Sequence, residues 1–77
     1  MSEYPRYSMV IEWSDEDQAY VVSFPEWDAT GMYFARTHGA TYEEAVKNGE
    51  EVLADLVDIA QEKGAPLPTP RRFAATA

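Results

Sequence analysis

The chain has 77 residues and a formal net charge of −8, with 45% apolar residues, 13% aromatics and no cysteine. One small domain of this length buries a marginal core, and without cysteine neither a disulfide nor a thiolate metal site can reinforce it, which leaves self-association as the available stabiliser. The negative charge argues against free nucleic acid or an anionic membrane as the main partner, and it suits a basic protein.

Residues 7–13 alternate, with Tyr7, Met9, Ile11 and Trp13 pointing one way and Ser8, Val10 and Glu12 the other. A period of two marks a half-buried strand, and on this pattern Trp13 belongs to the core. The polar "SDEDQ" is the length of a hairpin loop. A second strand follows over residues 19–24, with Tyr20, Val22 and Phe24 on one face, and Pro25 ends it because proline cannot donate a ladder hydrogen bond. Residues 25–32 read as turns, with Gly31 available for a positive φ. "YFARTH" is a short third strand, joined most simply as an antiparallel meander.

Thr41 then stands as an N-cap, with Glu44 three residues on to complete a capping box. Tyr42, Ala45, Val46, Gly49, Val52, Leu53, Leu56, Val57 and Ala60 follow the spacing of one apolar helix face. Gly49 costs about 1 kcal/mol against alanine in a helix, which is reasonable where the helix backbone must lie close to the sheet. Lys63 is near the end, Gly64 suits C′ and Pro66 blocks continuation. The expected fold is α+β: a three-stranded antiparallel sheet packed against one long C-terminal helix, a β-β-β-α domain over residues 1–65. Residues 66–77 form an extended tail rich in proline, carrying Arg71, Arg72 and Phe73.

One helix covers one face of such a sheet. The outer strands keep open edges, and Val10, Val21 and Phe34 are left for the uncovered face. A dimer or higher oligomer through an edge or that face is the expectation. The start "MSEYPRYS" lacks the apolar core of a secretory leader, and no apolar run nears the ~18 residues of a membrane span, so the expected location is the cytoplasm.

Catalytic chemistry finds little support. Asp15, Glu16 and Asp17 fall together, but Ala19 and Tyr20 occupy the ligand and glycine positions that a calcium loop needs. His38, the only histidine, reads as a solvated turn residue. Ser8 and Ser23 lie in strand patterns without a nucleophile elbow, and no glycine loop cradles phosphate. No catalytic residue, metal ligand or cofactor site is assigned. The helix carries Glu43, Glu44, Glu50, Glu51, Asp55, Asp58 and Glu62 against Lys47 and Lys63. Glu51–Asp55 and Asp58–Glu62 are like-charged at i, i+4 and mildly unfavourable, as expected of a solvated face or one awaiting a cation. Candidate partner contacts are Glu43, Glu50, Glu51, Asp55 and Asp58, with Trp27 as an exposed loop anchor and Arg71, Arg72 and Phe73 from the tail.

"YSMVIEWSDEDQAYVVSFPEW" followed by "THGATYEEAVKNGEEVLADLV" resembles the HicB antitoxin family in its small single-domain members. Tyr7, Ile11, Glu12, Tyr20, Val22, Pro25, Glu26, Gly39, Thr41, Glu43, Glu44, Ala45 and Asn48 carry the likeness, over residues 6–60. The resemblance implies a partial ribonuclease H-like fold that oligomerises and covers the active site of a HicA toxin, a small basic protein that cleaves mRNA. "PEWDATGMYFARTHG" is longer than the family's usual link. The DNA-binding segment of complete antitoxins is not found in this sequence, so no direct operator or other nucleic-acid binding is expected. The resulting expectation is a non-enzymatic antitoxin that binds a small basic toxin. The alternatives are a stand-alone oligomeric module and a degenerate nuclease whose one strand carboxylate is Glu12.

Overall fold

A computed structural model describes residues 6–71. In chain order it holds β1 (Val10–Ser14), β2 (Ala19–Ser23), α1 (Pro25–Asp28), β3 (Arg36–Gly39) and α2 (Tyr42–Glu62). The sheet order is β1-β2-β3, antiparallel throughout. This is the expected α+β arrangement of a meander and one long helix, with α2 lying against β2 and β3. Residues 66–71 contain neither helix nor strand.

Register decides what faces the helix. Ile11 stands opposite Val22 and Val22 opposite Thr37, while Trp13, Tyr20 and Gly39 form the neighbouring row on the same face. Val22, Phe24, Trp27, Ala45, Leu53, Leu56 and Ala60 make the buried core. Each large side chain among them contributes about 1.5–3 kcal/mol by leaving water. The apolar face of α2 is narrower than its sequence period suggests: Ala45, Gly49, Leu53, Leu56 and Ala60 are buried, whereas Tyr42 and Val46 are exposed.

The β3–α2 junction is built from four short-range devices. Thr41 Oγ1 accepts from Glu44 N–H at 3.1 Å. Glu44 Oε1 returns to accept from the N–H of Ala40, one residue before the cap. The Asn48 side-chain amide donates to the His38 carbonyl at 2.7 Å. Gly39 lies so close to the helix that a Cβ there would stand 2.4 Å from Ala45 N. At the far end Lys63 is the C-cap and Gly64 takes φ +68°, the left-handed turn expected after the helix. Gly49 also lets α2 approach the sheet, since a Cβ there would meet Met9 Sδ at 2.5 Å and Val22 Cγ1 at 3.2 Å.

The two tryptophans exchange their expected places. Trp13 is 48% exposed and Trp27 is fully buried. α2 crosses β2 and β3, so the outer end of β1 lies beyond its cover and Trp13 stays in water. The segment after β2 is not all turn: Pro25 opens α1 at its first turn, and that single turn of helix carries Trp27 into the core. There it packs edge-on between Tyr7, with centroids 5.2 Å apart, and Tyr33 at 5.4 Å.

Candidate functional site

Three features besides the core hold chemistry. The first is the outer face of α2. Glu43, Glu51, Asp55 and Asp58 are exposed and Glu50 is half-buried, in line with a helix whose apolar stripe faces β2 and β3. Of the other expected partner contacts, Trp27 is corrected: a fully buried indole cannot anchor an interface. Arg71 is exposed, while Arg72 and Phe73 lie outside the described residues.

The second is a buried carboxylate that the sequence marks only through the HicB likeness, with no role attached. Glu26 is 5% exposed. Its Oε2 accepts from Ser8 Oγ at 2.9 Å and from Arg71 N–H at 2.9 Å, and Ser8 N–H is shared between Oε1 and Oε2 at 3.1 Å each. Burial by itself would raise the Glu26 pKa. The N–H groups of Arg71, Glu26 itself and Ser8, with the Ser8 hydroxyl, outweigh it and hold the carboxyl below its ordinary value. Beside it, burial and then the Glu26 charge push the Tyr7 phenol up, and Tyr7 OH donates to the Pro68 carbonyl. Glu26 and Tyr7 thus fasten the start of the described chain, α1 and the proline-rich segment together. Ser8 and Arg71 lie 18 and 45 residues from Glu26, which no local pattern can reveal.

The third is an aromatic row at the hairpin-turn end. Trp13 meets Tyr20 edge-on with centroids 5.1 Å apart, and Tyr20 stacks on Tyr42 at 4.3 Å and 25°. Trp13 Nε1 donates to Asp15 Oδ1 at 2.8 Å, which fixes the indole's orientation. Asp15, Glu16 and Asp17 are exposed on one flank and Glu43 and Glu44 on the other.

On the uncovered face of the sheet, Glu12 stands opposite Val21, and Val21 opposite His38. Its neighbours across the strands are therefore an aliphatic chain and an imidazole, not the converging carboxylates of two-metal chemistry. A shallow hollow of about 330 Å³ on this face is lined by Asp17, Val21, Arg36, Thr37 and His38. Arg36 is already engaged there, donating to Asp28 Oδ1 at 3.0 Å and lying 4.1 Å from the centroid of the exposed Phe34 ring. Among the described residues no group of three His, Cys, Asp or Glu side chains is placed to hold a metal ion, and no helix is long and apolar enough to cross a membrane.

No known protein family matches the chain, nor does any curated protein or solved structure. The likeness to HicB proteins rests on the residues quoted above. Most of them have local work in the fold: Gly39, Thr41, Glu44, Ala45 and Asn48 build the β3–α2 junction, Pro25 starts α1, and Glu26 holds Ser8 and Arg71.

Proposed function

We propose that this protein is a non-catalytic binding module of HicB-like antitoxin type, which takes up and neutralises a small basic, HicA-like mRNA-cleaving toxin in the cytoplasm. The observation that carries the proposal is the outward placement of the acids on α2. Glu43, Glu51, Asp55 and Asp58 reach water from one helix, and Lys47 is the single cation within Tyr42–Glu62. Such a face accelerates encounter with a cationic protein, and salt weakens the effect. Self-association belongs to the same proposal. Among the described residues the outer edge of β1 is unpaired, and Val10 and Phe34 are exposed at 39% and 79%.

The decisive experiment takes a small basic HicA-type protein, sought first among the products of the neighbouring genes, and measures its association rate by stopped flow from low to high salt. The expected result is a rate that falls steeply with salt, together with loss of the partner's mRNA cleavage at one equivalent. A salt-independent rate would remove the electrostatic basis, and undiminished cleavage would remove the antitoxin role. RNA cleavage by this chain alone with Mg²⁺ or Mn²⁺, abolished in Glu12→Gln, would replace the proposal with a nuclease.

A further inference from the structure

The acidic face of α2 attracts a cationic partner but offers it no shaped contact. The aromatic row does. Trp13 and Tyr42 are 48% and 61% exposed, and Tyr20 lies between them in contact with both. Large rings left in water at this density mark an interaction surface more often than isolated apolar residues do. The row is also prearranged, because the Asp15 carboxylate holds the indole through Nε1 and the Tyr20–Tyr42 stack holds the phenols.

The surrounding charge narrows the occupant. Residues 13–20 and 37–46 contain Asp15, Glu16, Asp17, Glu43 and Glu44 and not one lysine or arginine. A ring face is electron-rich, and carboxylates on both sides deepen the negative potential, so a cation lying on the rings is favoured twice over. The flat guanidinium group stacks on an aromatic face and forks onto a carboxylate in the same pose, which an ammonium cannot do. The chain shows the first of these contacts within itself, where the Arg36 guanidinium lies 4.1 Å from the Phe34 centroid.

We infer that the Trp13–Tyr20–Tyr42 row is a docking site for an arginine-bearing protein segment, with guanidinium groups stacked on the exposed rings and paired to the flanking carboxylates of the hairpin turn and the start of α2. The inference deepens the basic-partner proposal and rests on it. It places the specific contact at the hairpin end of the molecule and leaves the middle of α2 as a long-range attractor.

The test titrates the full chain with an oligoarginine peptide and with an oligolysine peptide of equal length, following tryptophan fluorescence and heat. Oligoarginine is expected to bind several-fold more tightly than oligolysine. Trp13→Ala and Tyr42→Ala, both at exposed positions and checked for folding by circular dichroism, should each weaken it about tenfold. Glu51→Gln with Asp58→Gln should weaken it less than about threefold. If the two aromatic variants bind like the parent while the helix variant loses affinity, the docking site is wrong and the basic-partner proposal stands. If oligoarginine does not bind at all, both fall.

Discussion

Replacing Glu26 by glutamine is isosteric, so its effect isolates charge and hydrogen bonding from packing. The amide oxygen can keep the Oε2 position and go on accepting from Ser8 Oγ and Arg71 N–H. The amide nitrogen then takes the Oε1 position and faces Ser8 N–H, donor against donor. Hydrogen bonds to a charged acceptor contribute about 1.5–3 kcal/mol and neutral ones about 1 kcal/mol. Two bonds weakened and one half-lost, against a smaller desolvation penalty for the neutral amide, leave a net loss of about 2 kcal/mol. For a chain of this size that is a fall in Tm of about 8–16 °C. Urea unfolding at neutral pH, followed through the buried Trp27, measures the loss directly. The pH dependence supplies the sign. The folded carboxyl titrates below its ordinary unfolded value of 4.5. Its contribution is therefore complete above that unfolded value and disappears as the pH falls through the folded one. The gap between parent and Glu26→Gln should be widest near neutrality and shrink in acid. Equal stability at neutral pH, or a gap that persists unchanged in acid, would refute this account of the carboxylate.

Gly39→Ala sets a Cβ 2.4 Å from Ala45 N and 2.8 Å from Ala45 Cα, both backbone atoms that cannot step aside; chemical denaturation should show a loss of about 3 kcal/mol. Tyr7→Phe deletes the donor to the Pro68 carbonyl and should cost about 1 kcal/mol at neutral pH. Because the folded Tyr7 pKa lies above the unfolded value, the phenol's contribution is whole below about pH 10 and is lost as the pH rises through the folded value, so the variant should show a flatter alkaline limb in thermal melts. Tyr33→Phe is the contrasting case. The Tyr33 hydroxyl is buried without a hydrogen-bond partner among the described residues, so calorimetry should find the variant as stable as the parent or more so.

The helix was legible because three independent signals agree over one stretch: the apolar period, the Thr41–Glu44 cap and Gly64 beyond the end. The hairpin was legible in register but not in depth. Alternation placed Trp13 on the helix side of the sheet, where it is, yet it says nothing of how far α2 reaches, and the helix stops short of that corner. Trp27 could have been found from Pro25, a common first residue of a helix, followed by acids at 26 and 28. Four residues of helix fall below any useful period, so the proline read as a strand stop alone. The burial and partners of Glu26 left no local pattern, since Ser8 and Arg71 come from the two ends of the described residues. The outward acids of α2 follow directly from its apolar stripe, whereas the Trp13–Tyr20–Tyr42 row needs three elements folded together before it exists.

Ser8 and Arg71 both reach one carboxylate, at 3.1 and 2.9 Å, so the stretch from residue 8 to residue 71 is close to a closed loop in space. Ring closure between these two points would therefore cost the native state little while depriving the unfolded chain of much of its freedom. A circularised form, reopened within the Asp15–Gln18 turn, should keep the helix and the meander. It would, however, carry its new ends beside Trp13, so the same rearrangement that spares the fold should spoil the aromatic row.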